Sequence, residues 1–161
     1  MREIPLTRGY VALVDKDDFQ TVAAHRWYAM KGDKFGNLVY AARKVGNQTI
    51  LMHRQITEAA PGEFVDHCNR NGLDNQRANL RVCTNSQNQA NQTLRAAKAQ
   101  SRFKGVRRSY RRWAAQIEVM GKTIYLGTFG SEESAARAYD DAARQHFGDF
   151  ARTNFVREET V

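Results

Sequence analysis

Apolar and polar positions change period several times along the chain, and the changes outline its elements. "GYVALVD" (9–15) is an apolar run closed by charged residues, the pattern of a strand. "KDDFQTVAAHRW" (16–27) follows, with Asp17 or Asp18 placed in the first turn of a short helix. Three extended stretches come next in "WYAMKGDKFGNLVYAARKVGNQTILMHRQI", divided by the Gly/Asn turn signals "KGDKFGN" and "VGNQ". Residues 1–52 therefore predict a small β-rich platform. "HRQIT" (53–57) begins a one-turn helix that stops before Pro61 and Gly62.

Residues 63–99 read as strand, wide loop, strand, helix. "EFVDH" is the first strand, 68–79 the loop, and "NLRVCT" the return strand. "NSQNQANQTLRAAKA" (85–99) predicts a helix capped by Asn85 or Ser86. "AAKAQSR" (96–102) carries no aromatic or branched apolar residue and reads as a linker or a fraying helix end. From Phe103, "FKGVRRSYRRWAAQIEVMGKTIYLGTF" predicts a three-strand antiparallel meander, with strands near 104–108, 112–119 and 122–129. In the second strand Trp113, Ala115, Ile117 and Val119 alternate with Ala114, Gln116 and Glu118, so one face is apolar. Trp113, in register with Ile117, is expected in the core. "SEESAARAYDDAARQHFG" closes the pattern as a helix capped by Ser131, with Glu133 or Ser134 near the reciprocal position and Gly148 at its end. Ala135, Ala138, Ala142 and Ala143 let that helix lie close on the sheet.

Charge changes this picture. The chain has 161 residues and a net charge of +8, spread unevenly. Residues 1–74 are near balance, with 10 basic and 9 acidic side chains. Residues 75–117 hold 10 Lys and Arg and no acid, whereas residues 118–161 are net acidic. Ordinary soluble surfaces mix signs, so an acid-free block of 43 residues is the footprint of a polyanion partner. The block holds no single amphipathic basic helix, which disfavours a membrane surface. No apolar run approaches the roughly 20 residues that span a bilayer. The N-terminus lacks the apolar core of a secretory signal, so a cytoplasmic protein is expected. Cys68 and Cys83 form no CxxC pair, which excludes a four-thiolate zinc site. Paired strands at 65–68 and 80–83 would bring the two thiols near each other. Both are expected as buried, small apolar side chains instead of a disulfide.

Seven asparagines fall at 69, 71, 75, 79, 85, 88 and 91. Asn density usually means turns, but this stretch also holds Asp66 beside His67. Strand–loop–strand–helix order puts Asp66 and His67 at a strand end and Asn88 one turn into the helix, so the three can converge. A carboxylate and an amide oxygen suit one Mg²⁺ or Mn²⁺. A neighbouring His is then available as general base on a water.

The pieces "MHR", "VDH", "LDNQRANLRVCT" and "SQNQAN" resemble the HNH endonuclease motif of the phage and homing type, with a ββα-metal fold. The resemblance implies His67 as general base and Asp66 and Asn88 as metal ligands. It implies Asn79 as the central Asn tying the loop to the backbone, and it makes Arg81 a candidate for phosphate contact. His53 matches a recurrent upstream His, open between a structural role and a phosphate contact. The cysteine pairs of zinc-stapled versions are missing, so the β platform must supply that support.

The pieces "GVR", "WAAQI", "LGTF", "EESAARAYD" and the closing "NF" are similar to the plant ethylene-response-factor (Apetala-two) DNA-binding domain, across the whole second half. A three-stranded sheet fits the major groove if its exposed face carries Arg and aromatics. By this resemblance Lys104 matches a phosphate-contacting arginine and Arg107 one that reaches base or phosphate. Arg108, Arg111 and Arg112 lie in the first hairpin, where the family also has arginines. Glu118 and Thr123 replace arginines, and Tyr125 sits at a tryptophan contact position. The first hairpin is one residue shorter and lacks "RPWG", so the docking mode carries over and base specificity does not.

The expectation is therefore an α+β chain. An HNH domain occupies 1–95, with a ββα-metal core at 63–95, followed by a linker at 96–102. A DNA-binding domain at 103–156 is a three-stranded antiparallel sheet packed on one helix. The expected activity is metal-dependent hydrolysis of phosphodiester bonds in double-stranded DNA, nicking as a monomer, with double-strand cleavage by a dimer as the variant. The cofactor is Mg²⁺ or Mn²⁺, with no small-molecule cofactor and no membrane. The setting is a phage or mobile element in the cytoplasm of a bacterial host. The competing reading is a DNA-binding regulator whose hairpin has lost catalysis.

Overall fold

The computed structural model describes residues 1–32, 38–92 and 100–156. The fold is α+β, with short strands in several small sheets and four α-helices among the described residues. The chain divides into two compact units, Met1–Thr84 and Asn85–Val161.

In the first unit, β1 (Arg2–Pro5) pairs antiparallel with β2 (Val11–Val14). β1 is too short and too polar to be read from its own residues; pairing with β2 makes it a strand. The helix α1 (Lys16–Ala23) follows, with Asp17 and Asp18 in its first turn, where the helix dipole favours acid. The strands β3 (Tyr28–Lys31), β4 (Val39–Val45) and β5 (Gln48–Leu51) form an antiparallel meander. Val14, Val22, Trp27, Ala41, Met52 and Ile56 are buried together as the core of the platform. Met52 and Ile56 belong to α2 (Met52–Thr57), which begins where β5 ends.

The hairpin of β6 (Phe64–His67) and β7 (Leu80–Cys83) joins this core through Leu80, and the loop between its strands joins through Leu73. The loop is stitched down along its length. Leu13 N–H donates to the Leu73 carbonyl and Asn75 N–H to the Leu13 carbonyl, both at 2.8 Å. Arg77 grips Asp18 with two bonds of 2.9 and 2.7 Å, and its own N–H donates to Asp15 at 2.8 Å. The Asn-rich segment is therefore a fixed part of the platform.

The second unit starts with α3 (Asn85–Ala90). The strands β8 (Val106–Ser109), β9 (Arg112–Val119) and β10 (Lys122–Phe129) form an antiparallel sheet in the order β10-β9-β8. Met120 and Gly121 turn between β9 and β10 with φ of 50° and 75°, the left-handed pair that a two-residue hairpin requires. The helix α4 (Glu132–Phe147) lies against all three strands. Ala115, Ala135 and Ala136 are fully buried there, so small side chains set the close approach. Ser131 Oγ accepts the Ser134 N–H at 3.1 Å and caps α4.

Two details differ from expectation. Asn85 is the first residue of α3, not the residue before it, and Ser86 Oγ accepts from Met120 N–H at 3.1 Å. Cys83 is buried but Cys68 is exposed, because the hairpin pairs Cys83 with Phe64 while Cys68 follows His67 at the other end. The two do not form a disulfide. The "KGDKFGN" turn lies largely outside the described residues, as do 93–99, which carry the expected continuation of α3 and much of the 96–102 linker.

Candidate functional site

Asp66 and His67 are the last two residues of β6, with Arg81 and Leu80 opposite them on β7. Successive side chains on a strand point to opposite faces. Asp66 therefore shares a face with Arg81, and His67 turns the other way toward the platform. Both Arg81 contacts reach Oδ2 of Asp66, from Nε at 2.9 Å and from Nη2 at 2.6 Å. Both side chains are largely removed from solvent, which strengthens the pair and also makes it costly to break.

On the other face, His67 meets His53 from α2 and Tyr40 from β4. Ring centroids lie 4.9 Å apart for the two histidines, 5.4 Å for Tyr40 and His53, and 5.8 Å for Tyr40 and His67. Both histidines are buried. Burial holds the His67 imidazole below its ordinary titration range, while the Asn75 side chain and then the Asp66 charge pull it back up. Burial, reinforced by His67 and then Arg54, pushes His53 down to about 3. At neutral pH both rings are neutral, the form that accepts a proton. His53 Nδ1 is buried without a hydrogen-bond partner among the described residues.

Asn79 holds the two ends of the loop together. Its Oδ1 accepts Asn69 N–H at 2.9 Å, its Nδ2 donates to the Asp74 carbonyl at 2.8 Å, and its carbonyl accepts Cys68 N–H at 2.9 Å. This closes the chain immediately after His67 and limits the paths its ring can take. Asn75 was expected only as a turn residue. It is fully buried, and its side-chain oxygen and nitrogen have no hydrogen-bond partner among the described residues. Turn chemistry and burial carry the same letter here, so sequence alone could not separate them. Tyr40 was likewise missed, since an aromatic in an alternating strand reads as core. Gly32 and Gly72 signal this packing: a Cβ at either would collide with the Tyr40 ring, and at Gly72 also with the Val39 carbonyl.

Asp66, His67, Asn79, Arg81 and His53 belong to the first unit. Asn88 belongs to the second, half-buried in the middle of α3. In that unit the sheet turns one face to α4 and the other outward. Arg107, Gln116, Glu118, Thr123 and Tyr125 share the outward face by register. Gln116 pairs with Tyr125, Glu118 pairs with Thr123, and Arg107 Nε donates to Gln116 Oε1 at 3.1 Å. Arg112 stands on the same side, opposite Ser109. Arg108 leans over the Trp113 ring at 4.8 Å and Arg111 over Tyr110 at 5.7 Å, both at the first hairpin. Trp113 packs at the edge of the α4 core. Lys104 is placed differently. Its ammonium turns to α3, donating to the Ala90 carbonyl and to the Gln89 carbonyl at 3.4 Å. Burial, and then the charge of Arg152, lower it to about 8.

A family model described as HNH endonuclease matches residues 51–90, from the end of β5 through the hairpin to the last residue of α3. An HNH endonuclease of Acanthamoeba polyphaga mimivirus is 30% identical over 151 residues, covering 92% of this chain and 77% of the viral protein. The chain belongs to the HNH endonuclease family. This HNH endonuclease has plant relatives over its second unit. An AP2/ERF and B3 domain-containing protein of Oryza sativa subsp. japonica is 51% identical over 61 residues, 37% of this chain and 17% of the rice protein. Ethylene-responsive transcription factor 3 of Nicotiana tabacum is 54% identical over 57 residues, 34% of this chain and 25% of the tobacco protein. The chain spans a quarter or less of either plant protein, so that likeness concerns one domain.

HNH endonucleases are generally dependent on a divalent metal. Among the described residues no cage of three His, Cys, Asp and Glu side chains is gathered. No helix among the described residues is long and apolar enough to cross a membrane.

Proposed function

We propose that this HNH endonuclease hydrolyses phosphodiester bonds of double-stranded DNA with the help of a divalent cation, nicking one strand as a monomer. The observation that carries the reading is His67 itself: a buried, neutral imidazole next in the chain to Asp66, on the hairpin that the family model matches. His67 takes a proton from water, and the hydroxide so formed attacks the scissile phosphorus. Asn75 and Asn79 restrict the ring and the backbone that follows it, so the base is oriented before DNA arrives. Asp66 and Asn88 would hold the Mg²⁺ or Mn²⁺ ion, whose chemistry is to neutralise charge on the scissile phosphate and leaving oxygen. Arg81 holds the Asp66 carboxylate in place through its contacts to Oδ2, and His53 backs the His67 ring.

The outward face of the sheet enters the major groove, where Arg107 and Arg112 meet phosphates or base edges and Tyr125 lies flat against the groove. Arg108 and Arg111 flank the groove at the first hairpin. Glu118 and Thr123 stand where the plant domains have arginine, so this protein selects a different sequence. A phage or mobile element in the cytoplasm of a bacterial host is the setting that a small targeted nuclease of this kind suits.

Supercoiled plasmid incubated with Mg²⁺ or Mn²⁺ tests the proposal. The native protein converts it to open circles, a chelator stops the conversion, and His67→Ala abolishes it while DNA binding persists. Nicking by His67→Ala at the native rate overturns the base assignment. Tight binding with no conversion by the native protein would support the regulator reading instead.

A further inference from the structure

The helix α3 has six residues and no basic side chain in its last turn. A helix that short is not stable alone, and its final carbonyls need partners from elsewhere. Several of its supports lie within the second unit. Ala90 is buried in the cluster of Ile117, Tyr139, Ala143 and Phe147. Arg152 N–H donates to the Ala90 carbonyl at 3.3 Å, and Ser86 Oγ accepts from Met120. The charged support is Lys104, whose ammonium donates to the carbonyls of both Gln89 and Ala90. A cation at this end of a helix also answers the dipole.

Lys104 is itself held in place. Asn154 clamps its backbone, accepting the Lys104 N–H at 2.7 Å and donating to the Lys104 carbonyl at 3.1 Å. Asp140, 1% exposed, clamps Asn154 in turn, accepting its N–H at 2.7 Å and its Nδ2 at 2.9 Å. A rigid line therefore runs from α4 through Asn154 and Lys104 to the last turn of α3. Asn88 sits in that last turn.

We propose that Lys104 is a positioning residue of the nuclease, fixing the C-terminal end of α3 and thereby the carboxamide of Asn88. This rests on the reading of Asn88 as a metal ligand. It departs from the phosphate contact that the plant resemblance assigns to position 104. A side chain that points at the carbonyls of its own unit, already partly desolvated, has little left to give a phosphate. In this arrangement the binding domain contributes scaffolding to the catalytic motif.

The test uses full-length protein carrying Lys104→Met, Lys104→Arg or Asn88→Ala, with three measurements. The first is duplex affinity and its salt dependence in chelator. The second is the Mg²⁺ concentration giving half-maximal nicking. The third is hydrogen exchange of the α3 amides. For Lys104→Met the expected result is unchanged affinity and salt slope, faster exchange at the end of α3, and a metal requirement raised roughly tenfold to a hundredfold. Lys104→Arg, which keeps the charge, restores most of the loss. A Lys104→Met protein whose salt slope drops by about one, with native metal requirement and exchange, makes Lys104 a phosphate contact and overturns the proposal. Asn88→Ala with the native metal requirement overturns the Asn88 assignment beneath it, whatever Lys104→Met does. Asn88→Ala impaired with Lys104→Met native on all three readouts overturns the role of Lys104 alone.

Discussion

His53 and His67 press ring against ring, both largely buried, and burial keeps both neutral at pH 7. The unfolded chain offers His53 a proton below about 6.5, whereas the folded chain accepts one only near 3. Below the unfolded value the unfolded state binds more protons, so stability falls with falling pH. The contribution is complete above 6.5 and shrinks through the window down to about 3, with a slope of up to about 1.4 kcal/mol per pH unit. Urea midpoints at pH 7.5 and pH 5 should differ in that direction, and the difference should shrink in His53→Leu. Two arginines provide a contrast of another kind. Arg77 is 59% exposed where it grips Asp18, and Arg81 is 19% exposed against an Asp66 that is 7% exposed. Arg77→Ala should cost under about 1 kcal/mol. Arg81→Ala, which strands a buried carboxylate, should cost roughly 3 kcal/mol or more. Equal losses in thermal or urea unfolding would contradict this reading of burial.

At the scale of elements, the strands and helices were legible because apolar period and turn residues agree along most of the chain. The meander from β8 to β10 follows the alternation of Ile117 with its neighbours, and α4 follows Ser131 and its alanines. β1 was not legible, because Arg2 to Pro5 becomes a strand only by pairing with β2. In the site, Asp66 and His67 stood out as an adjacent pair, but Asn75 did not. Its burial depends on the loop crossing β2, a long-range contact that no local pattern encodes. Lys104 matches a phosphate contact by resemblance, and its turn toward the carbonyls of Gln89 and Ala90 is likewise a contact that no local pattern encodes. Gly105 shows how tightly the second unit is built. Its φ is +77°, and a Cβ there would run into the Tyr139 ring. Gly105→Ala combines a left-handed backbone with overpacking and should cost roughly 2 kcal/mol or more. Calorimetry checks this, and a native melting temperature would mean that Tyr139 has room to move.

At the scale of the whole molecule, the net charge of +8 is concentrated between residues 75 and 117. Arg107, Arg108, Arg111 and Arg112 all lie on or beside the sheet's first hairpin. Each phosphate they neutralise adds about 0.9 to the slope of log affinity against log salt. Binding in chelator should therefore weaken steeply with added salt, and Arg107→Ala with Arg111→Ala should flatten the slope. Glu118→Arg, which removes an acid from the outward face, should tighten binding at low salt. A filter-binding titration across salt concentrations separates these effects from loss of fold.

The supports of α3 also decide where this protein can be cut and rejoined. A designer wishing to redirect the nuclease would be drawn to the segment just before Phe103 and would exchange everything after it. That graft leaves α3 behind without Lys104, Arg152, Met120 or the cluster around Ala90. A seam at Thr84 carries the helix across together with the parts that hold it. Chimeras made at the two seams should differ in nicking far more than in DNA affinity, with the earlier seam retaining activity where the incoming unit brings its own α3 with an asparagine in the place of Asn88.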